Sequence, residues 1–311
     1  MTNYIEKSTN PKIVSIIVTY NGEKCIKKCL SSLEQSDYRD HYILVIDNAS
    51  TDNTLNIIRN EFPNIKLFIS EKNHGFGKAN NIGIKCALEM NAHYVFLLNQ
   101  DAYITNDTIQ KLIDTHHNNP QYGVLSPIHL SEAGNLDCKF QKYITSQCND
   151  KLISDLILRK PIKDIYDVSF VNAAAWLLPK ETLAKVGGFM PVFHHYGEDD
   201  NYIHRCIYHK VKIGIVPNSF ITHDRLQAPS KLKSYSNKKY SNYVYSHILS
   251  EFTNPNNRIL IKFKKVLMHL LKGVIRKPLA TIYATFKLLF NSRPIFHQYL
   301  NSKNINTNFL K

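Results

Sequence analysis

The stretch "IVSIIVTYNGEKCIKKCLSSL" (13–33) decides the fold. Its first eight residues are a β-branched apolar run, long enough for a strand buried on both faces. "NGE" breaks the run, and the apolar residues of "KCIKKCLSSLEQ" (24–35) then recur at helical spacing. Strand, turn and helix repeat downstream. "HYILVIDN" (41–48) predicts a second strand, and "ASTDNTLNIIRNEF" a helix with Ser50 or Thr51 placed to cap it. "IKLFIS" (65–70) is a third strand, "NHGFGKANNIGIKCALEM" a glycine-bearing loop into a helix, and "HYVFLLNQD" (93–101) a fourth strand. A β-α-β-α-β-α-β order implies an α/β domain: a Rossmann-like, mostly parallel sheet with helices on both faces. Ligands of such sheets bind beyond the carboxyl ends of the strands. The turns "TYNGE", "IDNASTD", "EKNHGFG" and "NQDA" all fall at that edge.

The second half is less regular. Residues 130–167 read as a loop-rich insertion with weak strands. "SFVNAAAWLLPKETLAKVGGF" (169–189) predicts a strand, a proline-started helix and a Gly-Gly break. "YGEDDNYIHRCIYHK" (196–210) becomes helical after its acidic start, and "VKIGIVP" is a further strand.

Composition bounds the partners. The 311 residues carry a net charge of +14, and the charge is unevenly placed. Residues 225–311 hold 16 Lys and Arg against one acid, Glu251, a net of +15. The first 224 hold 23 basic and 24 acidic residues, a net of −1. This predicts a neutral catalytic part, 1–225, and a basic helical extension, 226–311, with a different partner. The six cysteines show no paired C-x-x-C spacing and the first residues form no secretory leader, so reduced thiols in the cytoplasm are expected.

Carboxylates gather at the sheet edge. Asp47 ends the second strand, Asp101 follows the fourth, and Glu198, Asp199 and Asp200 open a helix. Singly, each fits a turn or a helix cap. Together, "SIIVTYNGEKCIKKCLSSL", "VIDNASTDNT", "NHGFGKANNIGI", "FLLNQDA", "AAAWLLPKETLAKVGGF" and "YGEDDNYIHR" stand in an order that resembles the inverting family 2 glycosyltransferases of glycosyltransferase A-type fold. The likeness covers roughly residues 11–224 and is closest to bacterial rhamnosyltransferase-like members that build surface polysaccharides.

That resemblance implies roles. Thr19, Tyr20, Asn21 and Asp47 would hold the donor's base and ribose, joined by Gly75, Gly77, Lys78, Asn80, Asn81 and Asn99 around the nucleotide. Gly75 and Gly77 would permit close backbone approach, and Lys78 would screen diphosphate charge. Asp101 matches the last carboxylate of the family's metal-binding triplet, and His223 matches a further ligand position. The cofactor implied is Mg²⁺ or Mn²⁺, a hard ion suited to oxygen ligands and phosphates. The triplet opens on Asn99 instead of Asp, which lowers the charge the protein brings. Asp199 would be the general base, with Glu198 beside it. Asp200 and Trp176 are secondary acceptor-side candidates, and Arg205 a phosphate or acid partner.

The implied activity is transfer of a sugar from dTDP-rhamnose or a UDP-sugar to a glycan or lipid-linked acceptor. A nucleotidyltransferase of similar fold, or a catalytically silent glycan- or membrane-binding module, are the alternatives. "RILIKFKKVLMHLLKGVIRK" (258–277) has an amphipathic, basic pattern that continues apolar past Pro278. Residues 258–290 are expected to meet an anionic membrane surface at the inner face of the cell membrane, or else a second copy of the chain. No nucleic-acid-binding motif is present.

Overall fold

The computed structural model describes residues 10–146, 151–224, 236–305 and 309–310. The alternating half runs β1 (Ile13–Thr19), α1 (Ile26–Glu34), β2 (His41–Asp47), α2 (Thr54–Glu61), β3 (Lys66–Ile69), α3 (Phe76–Glu89) and β4 (Tyr94–Asn99). β1 is flanked by β2 and β4, and β2 by β3, all parallel. Alternate residues of β1 serve opposite faces: Val14 and Ile16 join α3 in one core, Ile13 and Ile17 join α1 and α2 in the other. All four are fully buried. This is why the run reads as continuously apolar and not alternating.

The second half is mixed in direction. β5 (Ala102–Ile104), α4 (Thr108–Asn118) and β6 (Tyr122–Leu130) precede two short helices, α5 (Phe140–Thr145) and α6 (Leu152–Ile157), and β7 (Tyr166–Asp167). β8 (Ala175–Pro179), α7 (Lys180–Val186), α8 (Glu198–Tyr208) and β9 (Lys212–His223) complete the sheet, in the order β3-β2-β1-β4-β8-β6-β9-β5 with β7 on β9. β8 runs antiparallel to β4. Its entry, residues 172–174, therefore sits at the same edge as the carboxyl ends of β1, β2 and β4. The expected α/β sheet with helices on both faces is present. The weakly patterned stretch 130–167 is more helical than its sequence suggests.

The extension forms α9 (Asn237–Thr253), α10 (Ile259–Arg276), α11 (Pro278–Phe290) and α12 (Ser292–Asn301). α9 packs its Tyr240, Val244, Ile248 and Leu249 with Met190 and Phe193 of the catalytic part and with Ala280, Ala284 and Ile295. Pro278 sits at the first turn of α11, where its missing N–H costs no helical bond. Among the described residues no helix is long and apolar enough to cross a membrane. The five described cysteines are free thiols.

Candidate active site

A cleft of about 680 Å³ opens at the carboxyl edge. Its walls include Tyr20 after β1, Asn48 after β2, Asn99 at the end of β4 and Gln100 and Asp101 after it, Asn172 before β8, Glu198 and Asp199 on α8, and His223 on β9. Sequence-distant turns meet here because parallel strands deliver their loops to one side.

The β1 and β2 turns are tied together. Asn21, at φ 49°, accepts the Thr51 N–H on its Oδ1 (2.8 Å) and donates its own N–H to Ser50 Oγ (3.0 Å). Ser50 and Thr51 are thus bound to the neighbouring turn and do not cap α2. Asp52 accepts the Thr54 N–H (3.1 Å) and the Glu23 N–H (3.1 Å), closing the α2 entrance instead. Ala49, also at positive φ (66°), is a strained backbone point that the surrounding bonds hold in place. Asp47 is fully buried; its Oδ2 accepts the Ser50 N–H (3.0 Å), while Oδ1 has no hydrogen-bond partner among the described residues.

Gln100 joins β1 to β4. Its Oε1 accepts from Thr19 Oγ1 (2.6 Å) and from the Tyr20 N–H (3.0 Å), and its Nε2 donates to the Tyr20 carbonyl (3.3 Å). Thr19 is therefore occupied within the fold, whereas Tyr20 is about half exposed at the cleft. Asp101 Oδ1 and His223 Nε2 lie 3.4 Å apart. Buried Asn99 Oδ1 and His223 Nδ1 have no partner among the described residues. Asp101 and His223, with Asn99 lining the same cleft two residues before Asp101, fit a hard cation that takes its remaining ligands from phosphate and water. No group of three His, Cys, Asp or Glu side chains that could hold a metal occurs among the described residues. The protein's share of such a site is accordingly small.

The acidic start of α8 lines the same cleft. Gly197, at φ 86°, makes the left-handed turn that admits it. The helix dipole favours anions there, but burial wins: Glu198 is pushed up to about 8 by desolvation and then by Asp199. Asp199, which accepts the Asp200 N–H (2.9 Å), is raised by desolvation, and Asp200 rises to about 7 by desolvation and then by Asp199. Glu198 Oε2 and Asn172 Oδ1 are buried without hydrogen-bond partners among the described residues. Such atoms are costly unless a ligand meets them.

Packing within the fold occupies several of the residues expected at the donor, although Gly75 itself lines the cleft. Gly75 (φ 82°) is required by the protein itself: a Cβ there would collide with the His194 carbonyl, which also accepts the Phe76 N–H (3.2 Å). Gly77 lies inside α3 under Phe189. Asn80 donates to the Phe76 carbonyl (3.0 Å). Asn81 donates to the Phe189 (2.8 Å) and Phe309 (3.0 Å) carbonyls and accepts the Phe189 N–H (2.7 Å). Lys78 is exposed and, like these asparagines, is not among the cleft-lining residues. Trp176 is fully buried against Phe189 and Tyr202, so it presents no face to a sugar. Asp200 also lies outside the cleft wall. Arg205 is fully buried and donates to the Val186 (2.7 Å) and Gly188 (2.6 Å) carbonyls, holding the Gly-Gly break rather than a phosphate.

Other cleft residues were not expected from sequence: Asn48, Gln100, Asn172, the exposed run His194–Tyr196, and Asn242 of α9. Asn48 and Gln100 stand beside residues already singled out in "IDNAS" and "NQDA", and Asn172 stands in "FVNAAAW" just before β8. Asn242 carries no sequence signal, because α9 reaches the site only through tertiary packing.

The family model described as glycosyl transferase family 2 matches residues 15–175, more than half of the chain. The chain belongs to glycosyl transferase family 2. Similar family relatives include the dTDP-rhamnosyl transferase RfbF of Shigella flexneri, 25% identical over 219 residues, 69% of each chain. The poly(ribitol-phosphate) β-N-acetylglucosaminyltransferase TarS of Staphylococcus aureus is 36% identical over 115 residues, 34% of this chain and 19% of TarS. Among solved structures, S. aureus TarS 1–349 with UDP matches with a TM-score of 0.54 at 17% identity, covering 94% of this chain and 90% of that one. The mannosyltransferase PcManGT of Pyrobaculum calidifontis, with GDP-Man and Mn²⁺, gives 0.53 at 17%, covering 92% and 76%. These likenesses establish the glycosyltransferase A-type fold. As a family 2 glycosyltransferase, the chain is an enzyme that moves a sugar from a nucleotide donor.

Proposed function

We propose that this glycosyltransferase inverts the anomeric centre in one displacement, with Asp199 as general base. The observation that carries the reading is the presence of two unlike groups in the lining of one cleft: the desolvated Glu198–Asp199 carboxyls and the Asp101–His223 pair. Desolvation makes the Asp199 carboxylate more basic than a solvated one. The acceptor hydroxyl oxygen bonds to the anomeric carbon as its proton passes to Asp199. The bond from that carbon to the diphosphate oxygen breaks, and the electron pair leaves with the diphosphate. Glu198, held protonated near neutral pH, would donate a hydrogen bond to an acceptor or donor hydroxyl.

Asp101, His223 and the Asn99 amide oxygen would hold Mg²⁺ or Mn²⁺. Such an ion, when bound, neutralises charge on the departing diphosphate. Tyr20 suits the nucleoside by its half-exposed ring at the cleft; Asp47, fully buried and next in sequence to the cleft-lining Asn48, keeps an oxygen with no partner among the described residues that a base or ribose donor would have to reach. The name of RfbF favours dTDP-rhamnose as donor, and the UDP bound in the TarS structure favours a UDP-sugar. The acceptor class is a growing surface polysaccharide or a lipid-linked glycan.

In this reading residues 1–225 carry the chemistry. Residues 226–311 attach the enzyme to the inner face of the cell membrane, or to a second subunit. Support comes from the exposed apolar side chains of α10 and α11, among them Leu260, Ile275, Leu279 and Phe290, beside exposed Lys264, Lys272 and Arg276. The test is nucleoside diphosphate release from dTDP-rhamnose and UDP-sugars, with candidate acceptors, with and without chelator. Acceptor-dependent release that Asp199→Asn abolishes is expected. Undiminished release by that variant overturns the base assignment.

A further inference from the structure

A second cavity, of about 570 Å³, lies within the C-terminal helices and away from the catalytic cleft. Its size falls in the range of small-molecule pockets, about 300–1,000 Å³. Ile248 and Phe252 of α9, Phe263 and Val266 of α10, Leu288 of α11 and Phe296 of α12 line it. A cavity walled this way holds water poorly and hydrocarbon well. It is continuous with surface rather than sealed by it: Phe263, Leu289 and Phe296 line it and are also more than half exposed.

Two basic side chains line the same cavity. Lys262 is committed to the fold, donating to the Phe252 carbonyl (2.9 Å) and sitting 3.7 Å over the Tyr299 ring. Arg293, by contrast, is exposed. From residue 252 to residue 311 the chain contains 11 Lys and Arg and no Asp or Glu. Glu251, just before this stretch, is a carboxylate near the cavity; it accepts from the lining Asn257 (3.3 Å) and is paired with Lys265 (2.9 Å). An apolar chamber opening onto a net cationic, apolar-studded surface is complementary to one class of molecule: a hydrocarbon chain that carries an anionic head.

We infer that this cavity takes one hydrocarbon chain of an acidic membrane phospholipid, with Arg293 meeting its phosphate. The inference rests on the membrane reading above and deepens it. The helices would hold a lipid drawn partly out of the bilayer, in addition to lying on the headgroups. A zwitterionic lipid lacks the net charge to match this surface. A second copy of the chain would have to bring its own net-positive helices against the same cationic surface.

The test uses the full chain and two readouts. The first is titration with a fluorescent monoacyl phosphatidylglycerol below its micelle concentration. The second is flotation with vesicles of mixed phosphatidylcholine and phosphatidylglycerol. Saturable uptake of one probe per chain is expected. Val266→Phe, which fills the chamber, should weaken uptake at least tenfold, and Ser292→Trp, which narrows it from the exposed rim, should do the same without touching the core. Both variants should keep wild-type melting and nucleoside diphosphate release. Arg293→Glu should weaken uptake while leaving the chamber open. Lys264→Glu with Lys272→Glu should lower flotation while leaving probe uptake within about twofold. Flotation without saturable uptake overturns the cavity assignment and leaves the surface reading standing. Uptake without flotation overturns the surface reading and, with it, a bilayer lipid as occupant. Equal uptake by both filled variants overturns the inference, as does equal affinity for a monoacyl phosphatidylcholine. A lipid-free dimer that excludes the probe assigns the cavity to a second copy and overturns it too.

Discussion

The sheet edge and the C-terminal helices are incomplete in opposite ways. At the edge, polar atoms are buried without partners among the described residues: Asp47 Oδ1, Asn99 Oδ1, Asn172 Oδ1 and Glu198 Oε2. Each costs about 1–3 kcal/mol if nothing meets it. In the helices, the deficit is apolar. Ile275 and Phe290 are each more than 80% exposed, and many neighbours exceed half. Each Å² left in water forgoes about 25 cal/mol. The kind of deficit indicates the kind of partner. Unmet polar atoms call for a polar ligand with donors and charge, and unmet apolar area beside lysines calls for an amphiphile with an anionic head.

Breaking the edge should have the largest effect. Asp199→Asn is expected to lower acceptor-dependent turnover about 10²–10⁴-fold, with nucleotide affinity by calorimetry nearly unchanged. Next, Asp101→Asn should raise the Mn²⁺ concentration for half-maximal activity by about tenfold or more, and chelator should suppress the wild type. On the helices, Lys264→Ala with Lys272→Ala removes about 1 kcal/mol of surface attraction per lysine. Vesicle binding should fall roughly 30-fold, while turnover on a soluble acceptor stays level. If turnover fell as well, the two regions would not be separable in function.

The smallest effect concerns stability. Asp200 is raised in the fold to about 7 from an ordinary carboxylate value. A raised carboxyl favours the folded state when protonated, so its presence costs stability increasingly as pH rises from about 4 through about 7. Asp200→Asn should therefore raise Tm at pH 8, by about 2–4 °C per kcal/mol regained, and leave it unchanged at pH 4. The rate should respond in the other sense. As the proposed base, Asp199 has to be ionised to take a proton, so turnover should climb with pH through an apparent value above the usual carboxylate range.

Much of the edge was legible because parallel strands impose it. Once 13–20, 41–48 and 93–101 are read as strands, their following turns must converge, and Tyr20, Asp101 and the Asn99 position come with them. The α8 acids were legible because three carboxylates in a row at a helix start stand out. What stayed hidden was the use of each polar side chain. Asn81 and Arg205 look like ligand-binding residues in sequence, yet both satisfy backbone carbonyls around residues 186–189. Trp176 looks like a sugar platform, but it lies on β8 between two layers. Hydrogen-bond satisfaction is a tertiary property, and local pattern does not record it. The strands β5 and β6 and the helices at 140–157 escaped for a related reason: their sequence is too short or too mixed to show a period.

The charge of the chain divides near residue 225, but its mechanics do not. Ser246 of α9 donates to the His195 carbonyl (3.1 Å), Thr253 meets Asn201 (3.0 Å), and Asn242 lines the cleft. The loop that delivers Asp199 is therefore braced by a helix from the basic half. A cut at the charge boundary would remove one wall of the cleft along with the basic helices. Any chimera that grafts this catalytic part onto another protein's tail has to carry α9 across the junction.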